Sequence, residues 1–472
     1  MKQRYPSALI TSIIAAQSAT FAAEPAITPA EPAKPIRQAG STVLTTSQGR
    51  PNIIVFLSDD HGWRDSGCYG NTDVRTPSLD RLATEGLRFT QAFAATPLCS
   101  PSRCVIETGL MPHRNGAHKF EMPIRPGVQT MPVYFKNLGY LTAELGKFHH
   151  APKKAFPYDV INANEHSAPE FIGKHNGKQP LFLMVCANDP HTPWAENKTY
   201  VPEKLGLPPN FVDTPRTHQD RANYYTDVEN MDALLGKVLK AIDDKKMRDN
   251  TLFVYTTDQG ANWPFAKWCV YDAGLRVPFI VRWPGKTATN TTTAAMVSLC
   301  DLLPTCLEVA GGTPPKTLDG RSLTALLSGK TNQFRDVIFG THTGNENGGP
   351  GIANHCPART VITPKYQYIL NLSPETPFTT HITGCPPGDI HHLPFWLTWV
   401  EKAKTDTFAK QIVTAYQHRP REELYDLAAD PYEMKNLAAD PRHAETRREL
   451  RTQLRDWCRQ QGDTEPLRFL NP

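Results

Sequence analysis

From residue 51 onward the chain alternates short apolar runs with longer amphipathic stretches. Residues 52–58 (NIIVFLS) are apolar except at their ends and stop at two aspartates, the pattern of a strand buried on both faces of a parallel sheet. Residues 181–187 (LFLMVCA), 252–256 (LFVYT) and 278–281 (PFIV) repeat it. Between them lie helical stretches at 77–85, 130–137 and 218–245. In the last of these, Tyr225, Val228, Met231, Leu235, Val238 and Ile242 recur at three- and four-residue steps, which predicts one buried face. Strands alternating with helices predict an α/β fold, a sheet covered on both sides.

After about Phe334 the segments shorten and break at turns, as in RTVITPKYQYILN, and a helical stretch follows at 444–460. We therefore expect a main domain over 51–334 and a C-terminal subdomain over 335–472 with a few antiparallel strands. Ahead of both, Lys2 and Arg4 lead a run of small and apolar residues ending in Ala22 and Ala23, which reads as a signal peptide over 1–23. Residues 24–50, rich in Pro, Ala, Thr and Ser, read as an extended tether. The expected product is exported to the periplasm or beyond, with no membrane attachment once the signal is cleaved.

Composition narrows the partners. A formal charge of +4 over 472 residues gives no support to nucleic-acid binding. Ten cysteines are too sparse for a disulfide scaffold, and none has zinc-site spacing. Cys356 and Cys385 flank one C-terminal segment and are a candidate pair, although connectivity is not readable from sequence.

In open α/β sheets chemistry gathers beyond the carboxyl ends of the strands. Asp59 and Asp60 follow the first apolar run, His191 comes shortly after the second, and Asp258 with Gln259 follows the third. Three polar groups at three strand ends converge on one crevice. Carboxylates and an amide oxygen are hard ligands, suited to calcium or magnesium rather than zinc. Cys99 opens a helix-compatible segment, where free backbone N–H groups favour an anion, and Arg103 falls one turn later.

The string TPLCSPSRCVIETGLMPHRNG around Cys99 resembles the signature of the sulfatase family over some twenty residues. ELGKFHH, NDPHTPW, TTDQG, FAKWCVYDAGLRVP and the C-terminal EELYDLAADPYEMKNLAADPRH resemble further family elements, so the likeness runs from Pro51 to near the end. In length and C-terminal layout it is most similar to the heparan N-sulfatase, or sulfamidase, branch. The resemblance implies an alkaline-phosphatase-like fold, with a large mixed sheet flanked by helices and a smaller C-terminal antiparallel sheet. It implies that a maturation enzyme oxidises Cys99, within Cys-x-Pro-x-Arg, to formylglycine. It implies a calcium ion held by Asp59, Asp60, Asp258, Gln259 and the residue made from Cys99. Gln259 departs from the family's Asn or His, so its share is less secure than that of Asp258.

The resemblance also assigns roles. Arg103, Lys147 and Lys267 carry the negative charge of the sulfate, His149 takes a proton from the nucleophile, and His191 donates one to the leaving group. A shift of one position between His149 and His150 remains open. For His61, Trp194, His342 and Arg359 a structural role is the expectation. The implied substrate is a sulfated carbohydrate. Sulfamidases carry arginine where this chain has Lys267, so the resemblance points to an O-sulfate ester rather than an N-sulfate.

Overall fold

The computed structural model describes residues 49–344, 356–384 and 393–471. The segment expected to be a signal peptide, nearly all of the expected tether, and Cys385, on which the candidate pair with Cys356 depends, lie outside the described residues.

A mixed sheet dominates. Its strands are β1 (Asn52–Ser58), β2 (Leu87–Phe93), β3 (Leu141–Gly146), β4 (Val160–Asn162), β5 (Leu181–Cys186), β6 (Thr251–Thr257), β7 (Arg276–Arg282), β8 (Thr291–Thr293) and β9 (Val297–Ser298). The order is β4-β3-β5-β1-β6-β7-β2-β8, with β9 also on β2. β4 through β6 pair in parallel, whereas β7 is antiparallel to both of its neighbours. The α/β sheet expected from the apolar runs is therefore present, with one reversed strand inside it.

Period-two alternation sorts the β1 side chains between two cores. Ile54 and Phe56 pack with Val228, Met231, Leu235, Val238 and Ile242 of the helix Pro215–Asp244. Ile53, Val55 and Leu57 pack on the other face with Met131, Phe135, Leu302 and Leu303. All six residues of the expected helical stripe are fully buried. That helix begins where Thr214 accepts a hydrogen bond from the Thr217 N–H and Pro215 occupies the first turn.

A second sheet of four antiparallel strands, β10 (Ile338–His342), β11 (Ala358–Ile362), β12 (Tyr366–Asn371) and β13 (Glu422–Asp426), follows in the C-terminal part. Val361, Tyr368, Leu370 and Leu424 face Leu450, Leu454 and Trp457 of the helix Ala444–Gln461. Among the described residues no helix is long and apolar enough to cross a membrane.

Candidate active site

β1 and β6 are adjacent and parallel, with Ser58 opposite Thr257. The residues just past their carboxyl ends, Asp59 and Asp60 on one strand and Asp258 and Gln259 on the other, are therefore forced together, and all four are fully buried. Asp60 takes a left-handed φ of +64°, a conformation that aspartate tolerates better than most residues. Its N–H donates to Asp258 Oδ1 at 3.2 Å. One oxygen each from Asp59, Asp60 and Asp258 lies within 4.8 Å of the other two.

Cys99 is the first residue of the helix Cys99–Thr108, behind an extended Leu98. The helix is tied to the carboxylates by Ser102, whose hydroxyl donates to the Asp258 carbonyl at 2.5 Å. Arg103, one turn in, donates through Nε to Asp258 Oδ2 at 3.0 Å and through Nη1 to the Lys147 carbonyl at 3.2 Å. At its far end Gly109 closes the helix in the left-handed region, φ +63°.

Lys147 follows β3 through Gly146, where a side chain is not admissible. The φ is +109°, and an added Cβ would lie 1.9 Å from the Cys186 carbonyl oxygen. This close approach directs Lys147 to an ion pair with Asp59. Lys267 sits between Ala266 and Trp268, the latter at φ +71°, and its Nζ lies 2.6 Å from Asp60 Oδ2. His191 donates from Nδ1 to the Thr192 carbonyl, which turns Nε2 toward Asp60, 3.8 Å away. Asp59, Cys99 and His191 form a second group with ligand atoms within 4.8 Å.

Three cations, Arg103, Lys147 and Lys267, thus face three carboxylates around one thiol. Burial pushes the Cys99 thiol up, but Lys267 and Lys147 outweigh it and lower the thiol to about 7. Burial also disfavours charge on Asp59, yet Lys147, His191, Arg103 and Lys267 hold it well below the usual carboxylate range. Asp258 goes the other way: burial and the Asp59 charge raise it well above that range. A buried carboxylate pushed up by its neighbour is a group that a divalent cation would relieve.

The donor set fits calcium. It offers hard oxygens from three carboxylates, and Asp59 Oδ1 and Gln259 Oε1 are buried with no hydrogen-bond partner. Gln259 turns its amide nitrogen to Asp60, so ligation requires the amide to present its oxygen instead. Asp258, held by Arg103 and by two backbone N–H groups, is the firmer of the two.

The two adjacent histidines separate. His149 is partly exposed, 3.8 Å from Glu121, and feels Lys147, Arg103 and Asp59. His150 turns inward to Glu144 and packs on Phe148 and Phe156. Of the four residues expected to be structural, His61 bonds the Tyr255 hydroxyl and the Asp65 carbonyl, and Trp194 donates to the Pro190 carbonyl. Arg359 pairs with Asp463 and donates to the His342 carbonyl, and the His342 ring lies edge-on to Trp268. Ser102 and Glu121 were not singled out by sequence. Ser102 was legible within CSPSR only as a spacer, and Glu121 lies in a loop with no motif.

The mixed sheet flanked by helices, with a separate four-stranded antiparallel sheet, is an alkaline-phosphatase-like fold, and a buried cysteine with cations gathered around it lies at its strand ends. The sulfatase family profile matches residues 51–164 and 156–312, and the profile described as N-sulphoglucosamine sulphohydrolase, C-terminal, matches 260–370. An ulvan-active sulfatase of Formosa agariphila is 32% identical over 439 residues, covering 88% of this chain and 81% of that protein. Human N-sulphoglucosamine sulphohydrolase is 29% identical over 472 residues, covering 88% and 91%. A protein solved in complex with its substrate D-glucosamine-2-N,6-O-disulfate superposes with a TM-score of 0.68 at 21% identity, covering 88% of this chain and 99% of that one. The chain belongs to the sulfatase family and is a sulfuric ester hydrolase.

Proposed function

We propose that the chain cleaves O-sulfate esters on a sulfated carbohydrate, using a formylglycine made from Cys99 and a calcium ion held by Asp59, Asp60, Asp258 and Gln259. The observation that carries this reading is the placement of Cys99 at a helix start, where Lys267 and Lys147 lower its thiol and where ligand atoms of Asp59 and His191 lie within 4.8 Å. Oxidised and hydrated, Cys99 supplies one hydroxyl to attack sulfur and another to expel sulfate, and calcium supplies charge that polarises the S–O bonds.

The chain's own residues do the rest. Arg103, Lys147 and Lys267 stabilise charge on the sulfate oxygens. His191 donates a proton to the leaving oxygen through Nε2, and His149 accepts one from the nucleophile's second hydroxyl. Lys267 is the reason for choosing an ester: an alkoxide leaving group gains from a compact ammonium, whereas an amine develops less negative charge. The ulvan-active sulfatase and human N-sulphoglucosamine sulphohydrolase, by their names, pull in different directions.

The proposed chain organisation is a signal peptide over 1–23, a tether over 24–50, a catalytic domain over 51–334 and a C-terminal subdomain over 335–472. We infer that the chain is exported to the periplasm or beyond and is matured by a formylglycine-generating partner.

The test offers sugar O-sulfates, glucosamine N-sulfate and an aryl phosphate at equal concentration and measures release. O-sulfate should be preferred. Tenfold preference for the N-sulfate overturns the ester assignment, and preference for the phosphate overturns the sulfated substrate. Intact-mass measurement of protein from its native host should show Cys99 lighter by about 18 Da, the thiol-to-aldehyde difference.

A further inference from the structure

Within reach of the Arg103 charge, a second polar cluster is sealed inside the core. It comprises Glu107 at the end of the helix Cys99–Thr108, Glu144 in the middle of β3, and His150 just past β3. The three are 1%, 2% and 6% exposed. His150 packs among aromatic rings, its centre 4.0 Å from that of Phe148 and 3.8 Å from that of Phe156, and Arg103 is the charged neighbour of all three.

The hydrogen bonding divides these groups into two sets of atoms. The Tyr158 hydroxyl donates to Glu107 Oε1 at 2.6 Å, and the Cys186 thiol donates to Glu144 Oε1 at 3.7 Å. The other oxygens, Glu107 Oε2 and Glu144 Oε2, have no hydrogen-bond partner, nor has either ring nitrogen of His150. One ligand atom from each residue lies within 4.8 Å of the other two, and His150 Nε2 is 3.4 Å from Glu144 Oε2. Tetrahedral ligands at about 2.1 Å from a metal stand about 3.4 Å apart.

We propose that Glu107, Glu144 and His150 form a second metal site, distinct from the carboxylates at the strand ends, for a divalent transition metal such as zinc. Two carboxylate oxygens and one imidazole nitrogen suit zinc better than calcium, which takes six to eight oxygens. Tyr158 and Cys186 are the outer partners that fix the two carboxylates, as ligating carboxylates are ordinarily fixed. Burial raises Glu107 to about 8 and Glu144 well above the ordinary carboxylate range, so their charge is what burial resists and a cation would offset. By holding the end of β3 to the nucleophile's helix, the metal would brace the segment that carries Lys147 and His149.

The full-length protein, stripped with chelator and re-equilibrated with calcium and zinc, is desalted and its metals counted by mass spectrometry. Crystals of the same material are measured at the zinc absorption edge. Retained zinc near one equivalent, with an anomalous peak between Glu107, Glu144 and His150, is the expected result. Glu107→Gln should abolish retention, and Tyr158→Phe should weaken it about 10- to 100-fold. Asp258→Asn, at the other site, should leave it unchanged. Wild-type protein that retains no zinc, or an anomalous peak only among Asp59, Asp60 and Asp258, overturns the proposal. If Glu107→Gln fails to fold, the wild-type map and Tyr158→Phe still decide it. Neither result bears on the sulfatase assignment.

Discussion

Cys99 is 2% exposed, yet its thiol faces charged groups instead of filling an apolar gap. Cys99→Ala should therefore release no measurable sulfate while unfolding within a few degrees of the wild type, since it fits none of the mechanisms behind large destabilisation. Full activity in that variant, measured as sulfate release, would remove Cys99 from the reaction. His149 invites a different measurement. Burial, Lys147 and Arg103 lower it to about 4, so its imidazole is neutral and able to accept a proton at ordinary pH. A group that must be unprotonated is lost as pH falls through its own value. The kcat should hold down to about pH 5 and drop as pH passes through about 4. His149→Ala should be slower by about 10²- to 10⁴-fold and should lack that acid limb. An acid limb centred near 6.5 in the wild type, or one that persists in the variant, would assign the base elsewhere.

At the scale of elements, the last residue of β3 decides where one charge of the candidate site sits. Gly146 brings Lys147 against Asp59 only because its backbone passes the Cys186 carbonyl with no side chain in the way. Gly146→Ala should cost about 1–3 kcal/mol from the left-handed backbone alone, and the overlap adds to that. The variant's unfolding temperature and kcat should fall together, whereas an unchanged kcat would show that the position of Lys147 does not depend on this turn. The same strand marks where sequence reading stops. β1 and the helix Pro77–Glu85 were legible to the residue because one is a pure apolar run and the other is amphipathic. β3 was not, because Thr142 and Glu144 interrupt its apolar pattern although both are buried. β2 was missed for another reason: a register irregularity between Phe89 and Ala92 breaks its alternation. In the candidate site, the residues that the structure brings together stand in motifs that can be read along the chain, but the divergence of His149 and His150 cannot. Which ring turns inward depends on Glu144 and Phe156, and neither marks itself as a partner along the chain.

Across the whole molecule, the central sheet concentrates three carboxylates where two parallel strands end, and their repulsion is set against three cations contributed by other segments. Arg103 belongs to a helix, Lys147 to the segment after β3, and Lys267 to the loop before β7, so the charges tie distant parts of the main sheet into one centre. A calcium ion bound there would stabilise the folded chain through that same centre, because an unfolded chain cannot bring Asp59 and Asp258 together. At a free concentration 100 times its dissociation constant, calcium should add about 2.7 kcal/mol of stability. Chelation should accordingly lower the unfolding temperature by a few degrees and abolish sulfate release, and added calcium should restore both. The ligands should not contribute equally. Asp258→Asn removes a charge that Arg103 and two backbone N–H groups already hold in place, so it should raise the calcium concentration needed for half-stabilisation strongly. Gln259→Asn only shortens an amide arm that here turns its nitrogen to Asp60, and should raise that concentration less. Calcium titrations followed by thermal unfolding give the two values directly. A larger effect at Gln259 than at Asp258, or stability indifferent to calcium, would mean that the strand-end carboxylates do not hold the ion.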